Sequence, residues 1–269
     1  YLFIMMTFPN INPVALDLGF VSIHWYGVSY VIGILFAWIL LRFRSSRSEL
    51  LLKNDQIADL VFFVMLGIII GGRLGSIIFY NLDYYLTQPI EIFYIHKGGM
   101  SFHGGLIGVI FATWLFSKKI NASFFKLTDF IAPVIPIGLG CGRIGNFING
   151  ELWGSPSNLP WAMIFPDPSA GNIPRHPSQL YEAFFEGIVL FIILWWFTKT
   201  PRPVKAVSGL FLFCYGTIRF FVEFVRVPDQ HIGYIVFDWL TMGQLLSIPM
   251  IIFGFLFLMM AYNKKTNYI

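Results

Sequence analysis

The chain has 269 residues, 57% apolar, 19% aromatic and only 12% charged. A soluble domain carries about 25% charged residues, so a water-exposed surface of this size is excluded and a membrane fold is expected. The formal net charge of +4 sits mostly in short loops beside apolar runs, a pattern that argues against a nucleic-acid partner. Cys141 and Cys214, the two cysteines, lie in apolar runs without metal-ligand spacing, so neither a metal site nor a disulfide is expected.

A spanning helix needs about 20 mostly apolar residues. In chain order, candidates lie at 24–42, 57–80, 101–117, 127–148, 178–198, 207–225 and 241–262. They predict an all-α integral membrane protein of about seven transmembrane helices, with residues 1–269 as one membrane domain. Connections are short except 81–100 and 150–177. The second carries Pro156, Pro160, Pro166, Pro168, Pro174 and Pro177. It cannot be helical throughout and is expected to form a small irregular head outside the bilayer. No internal repeat is visible.

Loop charge sets the expected orientation. Arg42, Arg44, Arg47, Lys53, Lys118, Lys119, Lys126, Lys199, Arg202, Lys205, Lys264 and Lys265 fall in one set of loops, against Lys97, Arg175 and Arg226 in the other. The richer set is expected in the cytoplasm. That puts the N-terminus and the head outside and the C-terminus inside.

The remaining basic residues, Arg73, Arg143 and Arg219, fall within predicted spans. A charge there costs roughly 2.5–3.5 kcal/mol on insertion scales, so each needs a structural partner or a role. Counted from their helix ends, all three lie about 10 Å below the outer interface. His103 and Tyr26 start inward-running helices at a similar depth. Three cations in the headgroup layer predict an anionic lipid phosphate, which arginine grips bidentately. Tyr215, Arg219 and Glu223 share one helix face, so Glu223 is also readable as a partner that merely neutralises Arg219. Gly67, Gly71 and Gly75 recur at intervals of four and predict close helix packing. Glycines on both sides of Ser101-Phe102-His103 leave that histidine uncrowded.

The segment Gly142-Arg143-Ile144-Gly145-Asn146-Phe147-Ile148-Asn149-Gly150-Glu151-Leu152-Trp153-Gly154 resembles the signature of the bacterial prolipoprotein diacylglyceryl transferases. The resemblance continues through His24-Trp25-Tyr26-Gly27, Gly71-Gly72-Arg73, Ser101 to Gly105, Arg175-His176-Pro177-Ser178-Gln179-Leu180-Tyr181-Glu182, Ser208 to Phe211 and Arg219 to Glu223. It implies transfer of the diacylglyceryl unit of phosphatidylglycerol to the lipobox cysteine thiol of a preprolipoprotein signal peptide, with release of glycerol phosphate. It further implies the bacterial inner membrane, a site near the periplasmic leaflet, and neither cofactor nor metal.

Such a reaction must release a thiol proton and stabilise a phosphate whose charge grows. His103 is the expected base, with a headgroup-ligand role as its alternative. Arg143 and Arg219 are the expected catalytic cations on the phosphate. Substrate-binding roles are expected for Tyr26, Arg73, Asn146, Asn149, Glu151, Gly154, Tyr215 and Glu223. A carrier or channel for an anionic solute is the competing reading. Carriers usually show internal repeats and a midplane site, neither of which is legible here.

Overall fold

The computed structural model describes residues 6–9, 11–19, 21–46, 50–94, 98–228, 233–236 and 239–263. Arg47, Lys97, Lys264 and Lys265, used above for orientation, lie outside the described residues. In chain order the helices are α1 (Trp25–Ser45), α2 (Asn54–Tyr80), α3 (Leu82–Thr87), α4 (Phe102–Lys119), α5 (Phe124–Ile131), α6 (Ile135–Ile148), α7 (Ser178–Glu182), α8 (Leu190–Phe197), α9 (Ala206–Val222) and α10 (Met242–Tyr262). A 3-10 turn at Ala132–Val134 joins α5 to α6, where Pro133 and Pro136 withhold backbone donors. A π-helical stretch, Ala183–Val189, joins α7 to α8.

The chain is a helical membrane protein. Among the described residues, 6 helices are long and apolar enough to cross a bilayer: α1, α2, Phe124–Ile148, Ser178–Phe197, Ala206–Val225 and α10. The other predicted span, 101–117, is the 18-residue α4, whose His103, glycines and terminal Lys118 and Lys119 reduce its apolar character.

The chain divides into two compact units, residues 41–130 and residues 1–40 with 131–269. In the first, α2 and α4 meet backbone to backbone. A Cβ at Gly67 would lie 2.6 Å from the Gly108 carbonyl oxygen, and one at Gly75 would lie 2.5 Å from Gly104 Cα. The four-residue glycine repeat is therefore a packing seam, as its spacing predicts. Arg44 ties the ends of this unit together: its Nε donates to the Phe130 carbonyl at 3.0 Å and its guanidinium lies over the Phe130 ring.

The second unit centres on Ala132, Leu190, Leu194, Val207 and Tyr215. Here α6 touches the π-helical stretch directly, since a Cβ at Gly187 would lie 2.8 Å from Gly140 Cα. That approach, one turn before Arg143, is what brings two carboxylates of the facing helix to it.

Short strands complete the unit: β1 (Met6–Thr7), β2 (Val14–Asp17), β3 (Ser22–His24), β4 (Met163–Ile164), β5 (Pro174–Arg175), β6 (Tyr234–Val236) and β7 (Leu240–Thr241). β2 and β3 form a hairpin, as do β6 and β7. β4 lies between β1, to which it runs parallel, and β5, to which it runs antiparallel. The proline-rich segment 150–177 is thus irregular but organised. It buries Trp153, Phe165 and Ala170 against Phe8, Phe147, Met163 and Val227. Arg175 stacks 4.3 Å from the Trp153 ring centre and donates to the Ala170 carbonyl at 2.7 Å.

His176 closes the segment. Trp161 Nε1 donates to the Tyr181 hydroxyl at 2.7 Å, so the hydroxyl proton is free to point at His176 Nδ1, 3.2 Å away. With the ring neutral, that nitrogen can accept the hydroxyl proton. Burial pushes the imidazole below its ordinary range, which is consistent with a neutral ring. A histidine held neutral contributes fully above its ordinary value of about 6.5 and loses that contribution as pH falls through the folded value. Proteolysis of segment 150–177 in detergent should therefore accelerate as pH drops from 7 towards 5, and His176→Phe should flatten that dependence. A wild-type cleavage rate unchanged over this range would contradict the neutral assignment.

Candidate active site

The second unit gathers three arginines around one carboxylate. Glu182, the last residue of α7, is fully buried and accepts from Arg226 Nη1 at 2.8 Å and from Arg219 Nη1, while Arg143 Nε lies 3.3 Å from its second oxygen. Glu186, one turn on in the π-helical stretch, is equally buried. It lies 3.7 Å from Arg143 Nε and 3.6 Å from Arg219 Nη1, distances of ion pairing without hydrogen bonding. Glu223 Oε2 forms an ion pair without a hydrogen bond, 2.9 Å from Arg219 Nη2 and 3.7 Å from Arg226 Nε. Arg143, Arg219 and Arg226 thus face Glu182, Glu186 and Glu223, a formally balanced set.

The balance is not symmetrical. Among the described residues, Arg143 is recorded against both carboxylates through Nε, and neither of its Nη groups makes a hydrogen bond. Arg219 and Arg226 each spend terminal nitrogens on Glu182. Arg143 also keeps the most exposed side chain of the three, 19% against 15% and 9%. The Nη end of the Arg143 guanidinium, which has the geometry to grip an anion bidentately, is thus free of hydrogen bonds within the described residues.

A second network surrounds Glu151, just after α6. Asn146 Nδ2 and Asn149 Nδ2 donate to its Oε1 at 2.9 and 3.3 Å, and Gln179 Nε2 donates to its carbonyl at 2.6 Å. The turn that carries it is left-handed at Gly150 and at Leu152, with φ of 69° and 59°. Glycine adopts that conformation freely, whereas leucine holds it at a cost. Tyr26 on α1 pairs its hydroxyl with that of Tyr30 at 3.0 Å and also lies within reach of Asn146. The buried Asn149 Oδ1 and Gln179 Oε1 find no hydrogen-bond donor among the described residues.

The other expected residues have more structural settings. Gly154 has no room for a side chain, since its Cβ would lie 2.7 Å from His176 Cβ. Tyr215 is buried and stacks on Phe211 at 5.7 Å. In the first unit, Arg73 is 5% exposed and donates to the carbonyls of Glu91, Ile92 and Gly98 at 2.5, 2.9 and 2.6 Å, against the Tyr85 ring. Its guanidinium is committed to backbone carbonyls in both 91–94 and 98–99. His103 is exposed in the first turn of α4, which Ser101 caps by accepting from Gly104 N at 3.2 Å. Among the described residues no cluster of His, Cys, Asp or Glu could hold a metal.

Sequence reasoning missed Glu182 and Glu186 as site residues. The signal was present: two acids four residues apart inside a predicted span cost as much to insert as the arginines that drew attention. Arg226 is read from the sequence as a loop charge, and its backbone does leave the helix there, pairing with Gly154, but its side chain reaches Glu182.

The model of the family described as prolipoprotein diacylglyceryl transferase matches residues 13–260. A protein from Pseudomonas aeruginosa PAO1 named phosphatidylglycerol–prolipoprotein diacylglyceryl transferase is 56% identical over 260 residues, 97% of each chain. One of the same name from Pseudomonas putida KT2440 is 56% identical over 264 residues, covering 97% of this chain and 98% of its own. A third, from Pseudomonas entomophila L48, is 55% identical over 264 residues.

Glu182 is the acceptor shared by all three arginines, so its loss strands buried cations. Glu182→Ala should cost roughly 3–5 kcal/mol of stability, with Glu182→Gln losing less because one carbonyl acceptor remains. Denaturant titration in detergent checks this. Wild-type stability for Glu182→Ala would mean that the arginines are solvated rather than held.

Proposed function

From the premise that this chain belongs to the prolipoprotein diacylglyceryl transferase family and so transfers a diacylglyceryl group from phosphatidylglycerol to a prolipoprotein, the first step of lipoprotein maturation, we propose that Arg143 is the principal phosphate ligand and that Arg219 completes the clamp. The observation that carries this reading is that Arg143 meets Glu182 and Glu186 through Nε while neither of its Nη groups makes a hydrogen bond among the described residues.

The phosphodiester carries one negative charge when it binds. The thiolate of the lipobox cysteine attacks the glycerol carbon, a carbon–sulfur bond forms, the carbon–oxygen bond breaks, and glycerol phosphate leaves with about two charges. Cations beside the leaving oxygens gain interaction as that bond breaks, which is stabilisation specific to the transition state. The countercharge of Glu182 and Glu223 keeps the empty site near neutral, so an incoming anion meets ordered donors rather than bulk positive charge.

Around that centre, Tyr26, Asn146, Asn149 and Glu151 are proposed to line the headgroup, with Tyr215 and Glu223 orienting Arg219. Arg73 and Gly154 are proposed to act through the backbone they hold. His103 is proposed as the base that takes the thiol proton, supported by its exposure at a glycine-flanked helix start. The membrane is proposed to be the bacterial inner membrane. The N-terminus and the 150–177 head are proposed to face the periplasm, with the C-terminus in the cytoplasm.

Arg143→Lys and Arg219→Lys should each lower transfer of labelled phosphatidylglycerol to a lipobox peptide by about 10²–10³, since a point charge lacks the bidentate edge. Near wild-type turnover in either variant would remove that residue from the clamp. His103→Gln should lower transfer by roughly 10²–10⁴, and the residual rate should climb with pH as free thiolate accumulates. Full activity of that variant between pH 6 and 9 would take His103 out of the mechanism.

A further inference from the structure

Thr241 and Gly243 lie where no expected site residue was placed, at the start of α10, yet they touch the arginine cluster. Thr241 Oγ1 donates to Glu223 Oε1 at 3.1 Å. The same hydroxyl accepts from Gln244 N at 3.2 Å, while Gln244 Oε1 accepts from Thr241 N at 3.0 Å. This is a reciprocal cap of α10, and it fixes the direction of the hydroxyl: its lone pair faces the helix and its proton faces Glu223. Gly243 brings the helix backbone against the same carboxylate. A Cβ there would lie 2.6 Å from Glu223 Cδ and 2.6 Å from its Oε1. Pairing of β6 with β7, with Tyr234 opposite Thr241, holds the cap residue from the other side.

Glu223 thus sits at the N-terminal end of a 21-residue helix, where the helix dipole favours an anion. Its other oxygen is the one that meets Arg219 Nη2 at 2.9 Å. One oxygen is thus hydrogen-bonded by Thr241, and the other faces the arginines as an ion pair.

We propose that Thr241 and Gly243 are positioning residues for the transfer reaction, acting through Glu223 to set the angle of the Arg219 guanidinium. The proposal rests on the phosphate-clamp reading of Arg219. In it, α10 supplies a fixed hydroxyl and a gap the size of a missing Cβ, and Glu223 transmits both to Arg219. Because Arg219 acts on charge that develops as the carbon–oxygen bond breaks, misalignment lowers kcat and leaves the KM for phosphatidylglycerol nearly unchanged.

The test uses the full-length protein in detergent, with phosphatidylglycerol and a lipobox peptide. Thr241→Val, which keeps the shape and removes the hydroxyl, should lower kcat about 10-fold or more, the loss expected of a hydrogen bond to a charged group. Thr241→Ser should restore most of it. Gly243→Ala should lower kcat in the same way. In a Glu223→Gln background, Thr241→Val should add little, because the two act in series. A Thr241→Val kcat equal to wild type would overturn the proposal, as would a loss fully additive with Glu223→Gln, which would mark a cap that serves folding alone. Arg219→Lys run alongside separates the two readings. If it is inactive while Thr241→Val is fully active, only the positioning role fails; if it is active, the clamp itself fails.

Discussion

A carboxylate with no exposed surface must be paired, and Glu182 is paired three times over. Removing an ion of this size from water costs several kcal/mol, and only close partners with good geometry offset it. Arg143, Arg219 and Arg226 supply those partners from α6, from α9 and from just beyond it. The consequence runs both ways. Glu182 is tolerable only because the arginines converge on it, and the arginines hold a defined orientation only because Glu182 is rigidly placed at the end of α7. A second acid, Glu186, is brought to the same cations by the switch to π-helical geometry at Ala183–Val189. Such insertions are frequent at functional sites.

Close backbone packing makes this convergence possible. Gly140 and Gly187 let α6 and the facing helix touch one turn from Arg143, and Gly243 lets α10 rest on Glu223. The side chains of the cluster are therefore carried by elements that cannot slide without steric overlap. Precision of this kind matters for a reaction whose catalysis depends on donors aligned with a growing charge. In the other unit the same device, the glycine seam of α2 and α4, serves packing, while Arg73 holds backbone carbonyls of Glu91, Ile92 and Gly98.

Much of the fold was legible because a bilayer imposes strong rules on sequence. Helix lengths follow from hydrocarbon thickness, and six of the predicted spans match helical stretches long and apolar enough to cross a bilayer, two of them passing through 3-10 or π-helical geometry. The internal architecture of 150–177 was less legible. Prolines announce where a helix cannot be, but the pairing of β4 with β1 and β5 depends on Phe8 and Trp153 meeting around Phe165 across long sequence separation. For the site, the motif from Gly142 to Gly154 marked Arg143, Asn146, Asn149 and Glu151 directly. Glu182 and Glu186 fall inside a predicted span, where the cost of burial applies to acids as it does to bases, whereas Arg226 lies beyond the predicted spans and reads as a loop charge. Thr241 could not have been found at all: a threonine before a helix reads as a cap, and only the three-dimensional approach of Glu223 gives its proton a second purpose.

In the proposed clamp, buried carboxylates hold the arginine cluster while the Nη groups of Arg143 take the lipid phosphate. The most direct measurement is an experimental structure with a phosphonate analogue of phosphatidylglycerol that cannot release its headgroup. The account predicts phosphonate oxygens about 3 Å from the Arg143 Nη groups, with Glu182 still paired to Arg219 and Arg226. A headgroup bound away from Arg143, or one that enters only by displacing Glu182 from Arg219 and Arg226, would contradict it.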